Sequence, residues 1–191
     1  MVCKMIVYVH GWRTSGIETG KILKDYFGED QVIVPVLEHT PLADFDRICR
    51  LAEEHDAAII GSSLGGFYAY CVAAMLNRKA ILINPSFDPY NRLTEYGEFK
   101  KYDCDDTFEW TPIKNKTLSI LADSARDCEI RTKNYHFFVA KDDELIDHSW
   151  IKNIFPNVNE YDNCGHRFTR MEDILPKIKD IHDLHVDNSI R

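Results

Sequence analysis

The stretch that decides the fold is Ala57-Ala58-Ile59-Ile60-Gly61-Ser62-Ser63-Leu64-Gly65-Gly66-Phe67-Tyr68-Ala69. Residues 57–60 are apolar without alternation, as a strand buried on both faces requires. Leu64 opens an apolar helical pattern that runs to Asn77. Between the two lies G-x-S-x-G, made of Gly61, Ser63 and Gly65. Glycines at those positions let the chain turn sharply and hold Ser63 in a strained conformation with its hydroxyl exposed. Gly66 lets the helix approach the sheet closely. A Gly-rich turn into a helix also suits a phosphate, but this one lacks the Lys of a P-loop and the G-x-G-x-x-G spacing.

Working outward, short apolar runs at 5–10, 31–36, 80–84, 135–140 and 157–161 join 57–61 as strand candidates. Helical patterns cover 15–27, 42–54, 64–77 and 147–154. Strands alternating with crossover helices predict an α/β fold with a mainly parallel sheet and helices on both faces. Ser15 with Glu18, and Thr169 with Glu172, read as capping boxes, and Pro176 should kink or restart the last helix. Residues 1–191 read as one domain, since about 100–200 residues is the ordinary size. Residues 85–134 interrupt the rhythm and carry seven aromatic side chains, from Phe87 to Trp110. A segment so long and aromatic is expected to be a lid or extra helical packing, with a helix over 113–126 behind Thr111-Pro112.

A serine hydroxyl needs a base, and the base needs a third group to orient it. In strand–elbow–helix hydrolases the order along the chain is Ser, acid, His. The strand at 135–140 ends in Lys141-Asp142-Asp143-Glu144, and the strand at 157–161 in Asp162-Asn163-Cys164-Gly165-His166. Ser63, Asp143 and His166 therefore each fall just past the C-terminal end of a strand, where ligand chemistry sits in open α/β sheets. Any of Asp142, Asp143 and Glu144 could reach an imidazole. Spacing from Ala140 favours Asp143, with Asp142 left in solvent. The oxyanion hole needs two backbone N–H groups, expected from Leu64 and from Trp12 in the loop after the first strand. His10 and His148 are weaker candidates for the base. His10 precedes Ser63 and belongs to the oxyanion loop, and His148 opens a predicted helix five residues after Asp143.

Composition excludes several classes. Twenty-three Lys and Arg against 31 Asp and Glu give a formal charge of −8, the wrong sign for nucleic acid. No run approaches the ~20 apolar residues of a membrane span. The first residues lack the apolar core of a signal peptide, so a cytoplasmic location is expected. Six scattered cysteines without a C-x-x-C pair argue against a disulfide framework or a zinc site, and no cofactor is expected. His182 and His185, three apart, lack the neighbours a metal would need.

The same residues resemble a known family, the small bacterial α/β-hydrolase esterases of the YqiA/YcfP-like type. The likeness runs through Tyr8-Val9-His10-Gly11, Ile60 to Ala69, Asn84-Pro85, Leu93-Thr94-Glu95-Tyr96, Asp143 to Asp147 and His166-Arg167-Phe168-Thr169. It implies a compact α/β-hydrolase fold and cofactor-free hydrolysis of carboxylic esters and acyl thioesters. It also implies that nucleophile, acid and base fall on Ser63, Asp143 and His166. Three positions depart from the family's pattern: Asp142 and Cys164 stand where glycine is usual, and Trp12-Arg13 replaces a smaller, uncharged pair. The expected partner is a small-molecule ester or thioester with a small to medium acyl chain, and the sequence is silent on oligomeric state. Amide, lactone or carbon–carbon bond hydrolysis, or ligand binding without turnover, are the alternatives on the same scaffold.

Overall fold

The computed structural model of the protein describes residues 5–188, with side chains to 183; Cys3 and the first four residues, and the side chain of His185, lie outside that range. The described elements, in order, are β1 (Ile6–Val9), α1 (Ile17–Phe27), β2 (Val32–Ile33), α2 (Pro41–Glu54), β3 (Ala58–Ser62), α3 (Leu64–Leu76) and β4 (Ala80–Ile83). They continue with α4 (Pro89–Arg92), β5 (Gly97–Lys100), β6 (Thr107–Trp110), α5 (Pro112–Arg126), β7 (Tyr135–Ala140), β8 (Asn157–Tyr161) and α6 (Met171–Asn188).

Six strands form one parallel sheet in the order β2-β1-β3-β4-β7-β8. Successive side chains leave a strand on opposite faces, and that period sorts the core into two layers. Val7, Val9, Ile59, Leu82, Phe137 and Val139 pack with α2, α3 and α5. Ile6, Tyr8, Ile60, Ile81, Ile83, Phe138 and Ala140 pack with Leu23 of α1 and Ile174, Leu175 and Ile178 of α6. Full burial of each such aliphatic or aromatic side chain is worth about 1.5–3 kcal/mol. Because all six strands run the same way, their C-terminal ends share one edge, and the loops carrying Trp12, Ser63, Asn84, Asp143 and His166 all leave from it.

Several local expectations are corrected. Residues 147–154 do not form an α-helix; they make a loop with one 3-10 turn at Ile151–Asn153. β2 is two residues long. The 85–134 segment is not only helical: between α4 and the crossover helix α5 it holds an antiparallel hairpin, β5–β6. Ser15 does not cap α1, whose N-cap is Gly16 at φ 78°. The Ser15 hydroxyl donates to Asp103, while its oxygen accepts from the Ile17 N–H at 3.4 Å, one residue out of the N-cap register. Thr169 likewise donates to the Cys164 carbonyl rather than capping α6. That helix runs as one element across Pro176. Thr111 does cap α5, accepting from the Lys114 N–H at 3.3 Å.

Candidate active site

Ser63 sits between β3 and α3 at φ 52°, ψ −119°, a conformation costing about 1–3 kcal/mol for a residue with a Cβ. Its neighbours hold it there. The Ser63 N–H donates to the Ile83 carbonyl at 3.1 Å, and its own carbonyl accepts from Ser86 and Phe67. Glycine is required on both sides: a Cβ on Gly61 would lie 2.2 Å from the Gly65 oxygen, and one on Gly65 2.0 Å from the Val9 oxygen. Ser62 is turned away and bonds the Tyr8 hydroxyl at 2.9 Å.

His166 bridges Ser63 and Asp143. Its Nε2 lies 2.9 Å from Ser63 Oγ, and its Nδ1 lies 2.9 and 3.0 Å from the two Asp143 oxygens. A carboxylate only accepts, so Nδ1 carries the proton and Nε2 offers its lone pair to the serine hydroxyl. The Asp143 side chain is 1% exposed. Burial pushes its carboxyl up, but hydrogen bonds from His166, Leu145 and Ile146 outweigh burial and hold it below the ordinary carboxylate value. The carboxylate therefore stays ionised at neutral pH.

Three further side chains shape the loop that carries His166: Asp142 and Glu144, which the sequence offered only as alternatives for the acid, and Asn84, to which it gave no role. Asp142 is not merely solvated: it accepts from the N–H groups of Cys164 and Gly165 at 3.1 and 3.3 Å. The Cys164 N–H is the main cause of its lowered pKa. Glu144 accepts from the backbone N–H of His166 at 2.9 Å. Buried Asn84 donates from Nδ2 to the Gly165 and His166 carbonyls at 3.0 and 2.9 Å, and its Oδ1 accepts from the Ala140 N–H. The three consecutive acids thus all serve one loop, each at a different point.

The loop after β1 approaches from the other side. A Cβ on Gly11 would lie 3.2 Å from the Ser63 Cβ, so Gly11 is what allows this backbone to reach the elbow. The Arg13 N–H donates to His39 Nε2 at 3.2 Å, and the Arg13 carbonyl accepts from Tyr102 at 2.7 Å. The Arg13 guanidinium donates to the Lys100 carbonyl and lies 4.3 Å over the Tyr102 ring. Trp12 packs edge-on against Phe108 and Trp110, at 5.0 and 4.9 Å between ring centres. The hairpin is therefore fastened to this loop. His10 and His39 lie buried behind it, held neutral by burial, which pushes them down to about 4 and about 3. His10 bonds the Gly11 carbonyl and Thr14, as a structural residue would.

A family model described as Uncharacterised protein family (UPF0227) matches residues 5–183. The chain belongs to that family. Among solved structures, this UPF0227 protein is similar to Est1E from Butyrivibrio proteoclasticus, at 12% identity and a TM-score of 0.68, over 99% of this chain and 89% of that one. It is similar to a Paleococcus ferrophilus monoacylglycerol lipase at 14% identity and a TM-score of 0.71, over 95% and 94%. An esterase domain from a Rhodothermus marinus protein matches at 18% identity and a TM-score of 0.63, over 90% and 81%. These likenesses establish the α/β-hydrolase fold, and the resemblance to the YqiA/YcfP-like proteins is borne out. Among the described residues, no helix is long and apolar enough to cross a membrane.

Proposed function

We propose that the protein is a serine hydrolase cleaving carboxylic esters or acyl thioesters of small to medium acyl chains, with Ser63 as nucleophile, His166 as base and Asp143 as acid. One observation carries this reading: the unbroken chain of 2.9 Å contacts from Ser63 Oγ through the His166 ring to the buried Asp143 carboxylate. Neighbours in the same fold bear the names esterase and monoacylglycerol lipase, which lends support to an ester substrate.

In the proposed cycle His166 Nε2 takes the Ser63 proton as Oγ attacks the acyl carbonyl. Asp143 stabilises the resulting imidazolium and keeps the ring in register. The developing oxyanion is received by the N–H of Leu64, the first residue of α3, and by the N–H of Trp12. His166 then returns the proton to the departing alcohol or thiol. Water, activated by the same ring, hydrolyses the acyl-enzyme. Every proton is held on this chain's own groups, and the scheme uses no cofactor.

The test is covalent labelling by a fluorophosphonate probe, followed by a panel of activated esters, thioesters, amides and lactones. Labelling that disappears in Ser63→Ala, with turnover of esters or thioesters, is the expected result. A protein that binds the probe reversibly without a covalent adduct would be a ligand binder. Turnover confined to amides or lactones would move the substrate class while keeping the nucleophile.

A further inference from the structure

Asp143 has a second imidazole beside it. His148 is buried, with its side chain 3% exposed, and its Nδ1 lies 3.6 Å from Asp143 Oδ2. Its Nε2 lies 3.1 Å from the Pro85 carbonyl oxygen. A carbonyl can only accept, so Nε2 must carry a proton. In the neutral ring Nδ1 is then a bare lone pair, and this buried atom has no hydrogen-bond partner. It faces the carboxylate oxygen that receives the His166 Nδ1–H at 2.9 Å.

Two states follow from that geometry. With Nδ1 bare, His148 presents no donor, and Asp143 Oδ2 is left to His166. With a second proton on Nδ1, His148 becomes an imidazolium competing for the same oxygen. We propose that His148 is a positioning residue for the acid: the Pro85 carbonyl sets its tautomer, the neutral ring reserves Asp143 for His166, and protonation of Nδ1 draws the carboxylate away. This rests on the proposed roles of Ser63, His166 and Asp143.

The groups facing the ring agree with a neutral resting state. Burial lowers its pKa, the Pro85 bond and Asp143 oppose that, His166 lowers it further and Asp147 raises it; the net direction is down. A cleft of about 500 Å³ lies beside the ring, lined by Asp143, Glu144, Asp147 and His148 among others. Asp143 Oδ1 is held by the Leu145 and Ile146 N–H groups, so Oδ2 is the oxygen that both imidazoles reach, and a donor on His148 would pull it off the line to His166.

The consequence is an acid limb of kcat/KM that takes up two protons, one on His166 and one on His148. His148→Gln keeps a donor within reach of the Pro85 carbonyl and cannot titrate. His148→Asn puts an amide donor where Nδ1 stands and so mimics the protonated ring at every pH. Both variants are expected to show a one-proton acid limb. The Asn variant should also lose about tenfold in kcat at pH 8, the worth of one redirected hydrogen bond, with KM little changed. Nitrogen NMR of histidine-labelled wild type at pH 8 should find Nδ1 of His148 unprotonated and Nε2 protonated. A proton on Nδ1 at pH 8, or a two-proton limb that survives in folded variants, overturns the proposal. If wild type fails to react with the fluorophosphonate, the proposed function falls instead, and the NMR tautomer still decides the state of His148.

Discussion

The Asp103 carboxylate accepts both the backbone N–H and the hydroxyl of Ser15, at 2.8–2.9 Å, across 88 residues of chain. One residue in the turn of the hairpin thereby fixes the end of the loop after β1. The Tyr102 N–H and the Lys100 carbonyl bind Arg13 in the same loop. Asp103→Ala should loosen the segment that carries the Trp12 N–H. On the proposed mechanism that N–H is an oxyanion donor; loss of a whole donor costs about 10²–10³ in kcat, so a displaced one is expected to cost about tenfold. KM for a small ester should stay near wild type, because no substrate contact is removed. Steady-state kinetics with a thermal melt as control checks this, and an unchanged kcat would free the hairpin from any role in the oxyanion hole.

The acid loop yields a ranked series. Asp143→Asn should keep the geometry but favour the wrong tautomer of His166, a defect that costs about 10⁴ in the trypsin example. Glu144→Gln and Asp142→Asn each weaken a charged acceptor under the His166 backbone. Both carboxylates are exposed and an amide oxygen still accepts there, so each variant is expected to lose a few-fold, far less than Asp143→Asn. Activities of the three variants on one activated ester test the order. An Asp142 variant at wild-type rate would return that residue to the solvent.

Trp110 and Phe99 should separate. Trp110 is 1% exposed and donates its indole N–H to the Leu93 carbonyl, so Trp110→Ala should destabilise the protein by about 3–5 kcal/mol. Phe99 is only partly buried, against Trp12 and Phe108. Phe99→Ala should cost less stability and shift the preference between short and long acyl esters. Chemical denaturation and a chain-length series measure the two effects. Equal proportional losses on every ester in Phe99→Ala would make it packing alone.

Stability should fall on mild acidification. His10 and His39 titrate at about 4 and about 3 in the folded protein, against an ordinary 6.5. The unfolded chain therefore binds more protons between those values, and stability rises with pH across that window. The contribution is complete above about pH 6.5 and is lost as pH falls from there toward 4 and then 3, on the order of 3 kcal/mol for His10 and about 5 kcal/mol for His39. Urea midpoints at pH 8 and pH 5 report it. Equal midpoints would mean that neither ring is buried neutral.

What could be read from sequence was local or periodic. The elbow is legible because Gly61, Ser63 and Gly65 must fall within five residues, and β1, β3, β4 and β7 because their runs are almost wholly apolar; β8, Asn-Val-Asn-Glu-Tyr, shows only by its place in the alternation. What was missed depended on distant partners. Ser15 looks like a helix cap until Asp103 claims it. Residues 147–154 have helical spacing, yet His148 is held by Pro85, 63 positions away, and core residue Ile151 opens a 3-10 turn that ends before buried Phe155. The hairpin did leave a signal, since Phe108 and Trp110 point inward and alternate with exposed Thr107 and Glu109. Asn84 carries no local sign of its task, because all its side-chain partners lie beyond residue 139.

The task of Asn84 also sets a time order. Synthesis runs from the N-terminus, so Ser63 and the strands on either side of it leave the ribosome about a hundred residues before His166. Until β7 and β8 have emerged and docked, Asn84 has neither the Ala140 N–H nor the Gly165 and His166 carbonyls to bind. A half-made chain therefore carries Ser63 without His166. On the proposed mechanism it is chemically inert, and hydrolytic competence arrives in one step with the last third of the polypeptide.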